Sequence, residues 1–136
     1  MGEGSRVERF FCCGVDHNSK HCVYLITDGL VADRLVNDDA TTEAALLGRI
    51  EGALKGGVRL VQLREKSLGA PALLKLATSV RALTSRYRAG LILNCSTEAD
   101  LEVALLAHAD GVHLPRSGPN IKTARSYLDN TLGTRA

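Results

Sequence analysis

The feature that most constrains this chain is a regular exchange between two hydrophobic periods. Four short apolar runs recur along it: VYLIT at 23–27, VRLVQL at 58–63, LILNC at 91–95 and DGVHLP at 110–115. Each is bounded by Gly, Pro, Asp or Asn and is too short for a helix, so each predicts a strand. Between them lie stretches whose apolar residues return every three or four positions. Thr41 and Thr42 offer N-caps for a first helix that carries Leu46, Leu47, Ile50 and Leu54 and stops at Gly56 and Gly57. Pro71 suits the first turn of a second, striped by Leu73, Leu76, Ala77, Val80 and Leu83 and ended by Gly90. Thr97 caps a third with Leu101, Ala104 and Leu105, and Pro119 starts a fourth with Ile121, Ala124 and Leu128. The closing DNTLGTRA reads as the start of a fifth strand.

Strict alternation of continuous apolar strands with amphipathic helices predicts a parallel sheet covered by helices. A doubly wound sheet and a (β/α)8 barrel both satisfy it. A nucleotide-binding doubly wound sheet should place a glycine-rich turn after its first strand, and TDGLVADR has one glycine there, which favours the barrel. In either architecture, chemistry gathers at the carboxyl ends of the strands. Asp28, Gln62, Arg64, Lys66, Asn94 and His113 fall at those ends. Strand side chains alternate, so Gln62, Arg64 and Lys66 are predicted to share the face of Val58 and Leu60 and to emerge at a pocket mouth. There, two cations can hold a phosphate-type anion. Solvated strand-end charge, a hydrogen-bonded core histidine at 113 and a turn asparagine at 94 are the plainer alternatives. Convergence from several strands is what favours a site.

With 17 Lys and Arg against 15 Asp and Glu, the charge is too balanced to point to nucleic acid or a membrane surface. No apolar run approaches a spanning helix, and Met1 to Cys22 lacks the apolar region of a signal peptide. The cytosol or an organelle lumen is the default compartment, and the cytoplasm is the placement expected. Cys12, Cys13, His17, His21 and Cys22 lie close enough to suggest zinc, but none of the usual paired spacings appears. Residues 1–22 therefore read as a disordered extension ahead of a domain spanning 23–136, with the four cysteines as free thiols.

In this order and at these intervals, VYLITD, GGVRLVQLREK, LILN and ADGVHLP resemble the first half of the thiamine-phosphate synthase and thiazole tautomerase family, a (β/α)8 barrel. The resemblance runs from about Val23 to the C-terminus. It implies an incomplete barrel of about four βα units plus the start of strand five. It also implies that Gln62, Arg64 and Lys66 hold the diphosphate and pyrimidine of hydroxymethylpyrimidine diphosphate, with Asn94 and His113 lining the pyrimidine pocket. In the synthases, diphosphate departs and the thiazole nitrogen captures the pyrimidine methylene cation.

The departures from the family pattern are as informative. Where synthases carry magnesium-binding acids, this chain has Cys95 after Asn94, and Gly118 after Pro115, Arg116 and Ser117. A thiol and a glycine do not replace two hard carboxylates. No cofactor is therefore expected, although magnesium is expected for synthases of the family. That loss suits the alternative of a metal-free thiazole tautomerase-like protein. A barrel of this type needs about 200 residues or more, so strands five to eight fall beyond Ala136 and a truncated, non-catalytic half-barrel is the other alternative. The expected partners are a small-molecule phosphate or diphosphate, no nucleic acid, no membrane, and a second copy through open sheet edges.

Overall fold

A computed structural model of the protein describes residues 23–29 and 39–133. The 1–22 extension, with its candidate zinc residues, lies outside the described residues. The elements are β1 (Tyr24–Ile26), α1 (Asp39–Lys55), β2 (Leu60–Leu63), α2 (Ala70–Arg86), β3 (Gly90–Asn94), α3 (Glu98–Leu106), β4 (Gly111–His113) and α4 (Ile121–Gly133). The strands form one four-stranded parallel sheet in the order β1-β2-β3-β4.

That sequential order decides between the two architectures. Right-handed crossovers that always advance in one direction put every helix on the same face, as in a barrel, whereas a doubly wound sheet reverses its order midway. The packing agrees. Val61 and Leu63 of β2 and Leu91 and Leu93 of β3 share one core with Ile50, Leu54, Leu76, Val80, Leu101 and Ala124 from all four helices. The sheet and its helices are thus consecutive units of a barrel-type α/β fold.

Three helix-to-strand turns repeat one construction. After α1, Gly57 takes φ +111 and Val58 N–H donates to Ala53 O. After α2, Arg88 takes φ 55 and Ala89 N–H donates to Thr84 O. After α3, His108 takes φ 56 and Ala109 N–H donates to Ala104 O. In each, a left-handed residue lets the next amide reach back five positions and satisfy an orphan helix carbonyl. At the amino end of the sheet, the Asp110 carboxylate accepts from the Leu91 amide and from Arg81, joining the starts of β3 and β4 to α2.

Several sequence expectations are corrected. Thr41 and Thr42 do not cap α1, which already runs from Asp39, because flanking Ala40, Ala44 and Ala45 carry the helix through them. Val58 belongs to the turn, and β2 begins at Leu60. Gly90 does not end α2 but opens β3, since the turn is made by Arg88. Of DNTLGTRA, expected to start a fifth strand, residues 134–136 lie outside the described residues. Residues 129–133 continue α4, where each added residue gains a hydrogen bond without a new nucleus. Thr97 is the N-cap of α3 as expected, in a reciprocal pair with Asp100.

Candidate functional site

Parallel register places Tyr24 beside Leu60, Ile26 beside Gln62, Gln62 beside Ile92, and Asn94 beside His113. Because Val61 and Leu63 face the helices, these residues line the opposite, inner face of the sheet. On that face three side chains form a directed chain. Asn94 Nδ2 donates to Gln62 Oε1 at 3.1 Å, and Gln62 Nε2 donates to the Tyr24 hydroxyl at 2.7 Å. The Ser96 hydroxyl donates to Asn94 Oδ1 at 3.4 Å. Gln62 and Asn94 are 3% and 7% exposed, so these bonds satisfy amides that burial would otherwise penalise. With both amide oxygens engaged, each side chain keeps an N–H to offer a bound heterocycle.

The two cations separate. Arg64 forms an ion pair with Asp28 at the end of β1, and its amide donates to Thr27 Oγ1 at 2.9 Å. Asp28 is 77% exposed, so this pair contributes about 0–1 kcal/mol. Lys66 is not on the strand. β2 ends at Leu63, and Lys66 sits exposed in the following turn, because the chain must bend there to enter α2. The expected alternation of Gln62, Arg64 and Lys66 on one face therefore holds only as far as Arg64. Glu65 points the other way and is buried, its Oε2 accepting from the Gly29 amide at 2.9 Å, which latches the end of β1 to β2.

Lys66 instead lines a cleft of about 220 Å³ together with Gly69, Ala70, Asn94 and Thr97, and with the Glu65 and Asp100 carboxylates, which accept from the Gly29 and from the Ser96 and Thr97 amides. The cleft opens between the first turns of α2 and α3. The N-cap of α2, Gly69, supplies no side-chain acceptor, and Pro71 removes one of the donors in that turn. A cation, a helix N-terminus without a side-chain cap and the Asn94 amide thus meet at one opening, with Gln62 behind Asn94 through their hydrogen bond, so donors for an anion joined to a polar ring stand beside two carboxylates already held by backbone amides. His113 is exposed at the end of β4, and its carbonyl accepts from the Cys95 amide at 2.8 Å. Of the expected site residues, the structure brings Asn94 and Lys66 to this cleft and joins Gln62 to Asn94 by a hydrogen bond, while Arg64 and His113 are not among the residues that line it.

Magnesium fits poorly here. Cys95 is fully buried, and burial, reinforced by the nearby Asp100 carboxylate, pushes its thiol up to about 12, so it stays protonated. Its Sγ donates to Leu93 O rather than facing the cleft. Gly118 packs directly on this residue: a Cβ there would stand 2.8 Å from Cys95 O and 3.3 Å from the Pro115 ring. The two positions are neighbours, but neither side chain supplies a carboxylate oxygen. Asp100 Oδ2 accepts from the Ser96 and Thr97 amides. No group of three His, Cys, Asp or Glu among the described residues could hold a metal.

Tyr24, Thr27 and Ser96 were not legible as site residues. Tyr24 shares an inner face with Gln62 only once the register between their strands is known, and sequence does not carry register.

The family model described as thiamine monophosphate synthase matches residues 33–134. A thiamine-phosphate synthase of Methanobrevibacter smithii is 40% identical over 104 residues, covering 75% of this chain and 48% of its own. One from Clostridium novyi is 34% identical over 116 residues, covering 84% and 50%. Among solved structures, thiamine phosphate pyrophosphorylase from Pyrococcus furiosus superposes with TM-score 0.62 at 27% identity, covering 80% of this chain and 46% of that one. The chain spans about half the length of these relatives. Both sequence relatives carry the synthase name rather than that of a tautomerase.

Proposed function

We propose, from the premise that this chain belongs to the thiamine monophosphate synthase family, that it supplies the pyrimidine- and diphosphate-binding wall of a site that joins hydroxymethylpyrimidine diphosphate to thiazole phosphate. The observation that supports the reading is the cleft where Lys66 and the first turn of α2 meet the Asn94 amide, which is hydrogen-bonded to Gln62. Amide N–H groups of fixed direction suit the ring nitrogens and substituents of a pyrimidine. Lys66, Arg64 and the helix N-terminus suit the diphosphate, and they would stabilise the negative charge that grows on it as the carbon–oxygen bond breaks. Arg64 would exchange an exposed ion pair with Asp28 for the ligand, at small cost. His113 borders the ring position from β4. Since Cys95 and Gly118 offer no carboxylate, binding in this reading needs no magnesium. A cytoplasmic setting belongs to the same proposal. No described helix is long and apolar enough to cross a membrane.

Isothermal titration with hydroxymethylpyrimidine diphosphate tests both parts. Heat is expected from the native chain and not from a Gln62→Ala, Arg64→Ala, Lys66→Ala variant, and heat indistinguishable between the two rejects the site. Titration in magnesium and in chelator should agree. A tenfold weakening in chelator, about 1.4 kcal/mol, rejects the metal-free reading.

A further inference from the structure

The carboxyl ends of β3 and β4 are joined by main chain. Cys95 N–H donates to His113 O at 2.8 Å, and beyond β4 the residues Pro115 to Gly118 close a tight turn in which Gly118 N–H donates to Pro115 O at 2.9 Å. That turn folds back onto the end of β3. A Cβ on Gly118 would stand 2.8 Å from Cys95 O and 3.3 Å from two atoms of the Pro115 ring, and the first distance is below van der Waals contact. Neither neighbour yields cheaply, because one is backbone tied to β4 and the other is a ring with a fixed φ. Gly118 itself is not in the left-handed region, so space rather than backbone conformation is what requires a glycine there. Cys95 is closed off in a different way. It is fully buried in the core shared with the helices, its Sγ donates to Leu93 O, and the nearby Asp100 carboxylate is already held by the Ser96 and Thr97 amides. A carboxylate in place of this thiol would be desolvated beside a like charge.

We propose that the place where synthases of the family hold magnesium is closed by packing in this chain: the Pro115 to Gly118 turn seats on the Cys95 carbonyl, so that acids restored at positions 95 and 118 do not restore a metal site. Gly118 is then the residue that fixes the metal-free form of the cleft, because any side chain at 118 must lift the turn off β3. Ser117, one position back on the same turn, is exposed and carries no such constraint. The ends of β3 and β4, which a shared cation would otherwise bridge, are held by the Cys95–His113 bond and by this contact. The inference rests on the family reading above and deepens its metal-free part. Its test reads folding and magnesium in variants of the turn, whereas that reading is tested by pyrimidine diphosphate binding to the native chain, so either can fail without the other.

Gly118→Ala adds a single carbon and should lower the urea midpoint by about 0.5–1.5 M. Ser117→Ala should leave it within about 0.25 M. The Cys95→Asp, Gly118→Asp double variant should fall further still, and its midpoint should be the same in inorganic diphosphate with magnesium as in inorganic diphosphate with chelator. Failure of the double variant to fold in either condition agrees with the closure, and Gly118→Ala then carries the comparison. A Gly118→Ala variant as stable as the native chain overturns the proposal, since the turn then has room for a side chain. An equal fall in Ser117→Ala also overturns it, because the turn is then fragile as a whole. So does a double variant that magnesium stabilises or folds, because an ion that binds the folded form alone raises its stability by mass action.

Discussion

Replacing Gln62 by Leu tests whether the inner-face amide chain is a cooperative unit. The substitution removes the acceptor of Asn94 Nδ2 and the donor to Tyr24. The Tyr24 hydroxyl is on a half-exposed residue and can turn to water, so its loss costs little. Asn94 is buried, and leaving its N–H without an acceptor costs about 1–3 kcal/mol. Asn94→Leu strands Gln62 Oε1 in the same way, at a similar cost. The double variant removes both partners and leaves neither amide orphaned, so it should cost less than the sum of the singles by about 1–2 kcal/mol. Urea unfolding followed by circular dichroism reads this directly. With a slope of about 2 kcal/mol per molar, each single change moves the midpoint by roughly 0.5–1.5 M. Additivity to within about 0.5 kcal/mol would show that the two amides are solvated independently and that the directed chain does not exist in solution.

Three further outcomes follow from other features. Thr97→Ala removes one half of the reciprocal cap with Asp100 and should cost about 0.5–2 kcal/mol, read as a lower urea midpoint. Arg88→Gly places the residue best suited to φ 55 at the turn after α2 and should stabilise by about 0.5–1 kcal/mol, read as a higher urea midpoint. Cys95 should resist iodoacetamide at pH 8 in the native protein and react in urea, read by mass spectrometry of its peptide. Its folded value of about 12 lies above the ordinary 9.0, so the unfolded chain loses the proton first. The stability linked to this thiol is intact below pH 9 and declines as pH rises toward 12, a decline that Cys95→Ala should remove.

Element type was readable because the strands are buried on a helix-packed side and the helices carry wide apolar stripes. Leu91 and Leu93, or Leu73, Leu76 and Val80, could serve no other role. Boundaries failed where a residue acts against its usual preference. Arg88 and His108 adopt the left-handed conformation that usually marks a glycine, so the end of α2 was sought at Gly90. Gln62, Asn94 and His113 were placed at the inner face or its rim by alternation and strand order alone. Lys66 falls outside the alternation because alternation has force only while the strand lasts, and the apolar run that predicts β2 already ends at Leu63. Tyr24 needed the pairing of β1 with β2, a non-local fact.

The three like turns after α1, α2 and α3 bear on how the protein comes apart. Each strand pairs with the next along the chain, at the βαβ spacing of about 30 residues, and each unit is sealed by the same backreaching amide. Such a chain behaves less like one cooperative sphere than like a short linear array, in which every unit leans only on its neighbours. Amide exchange should then be graded by position in the row. The amides of β3 and the last turn of α2 should be slowest, with protection falling away toward β1 on one side and β4 on the other. Loss of a terminal unit would leave the remaining ones paired, whereas loss of β3 would sever the row.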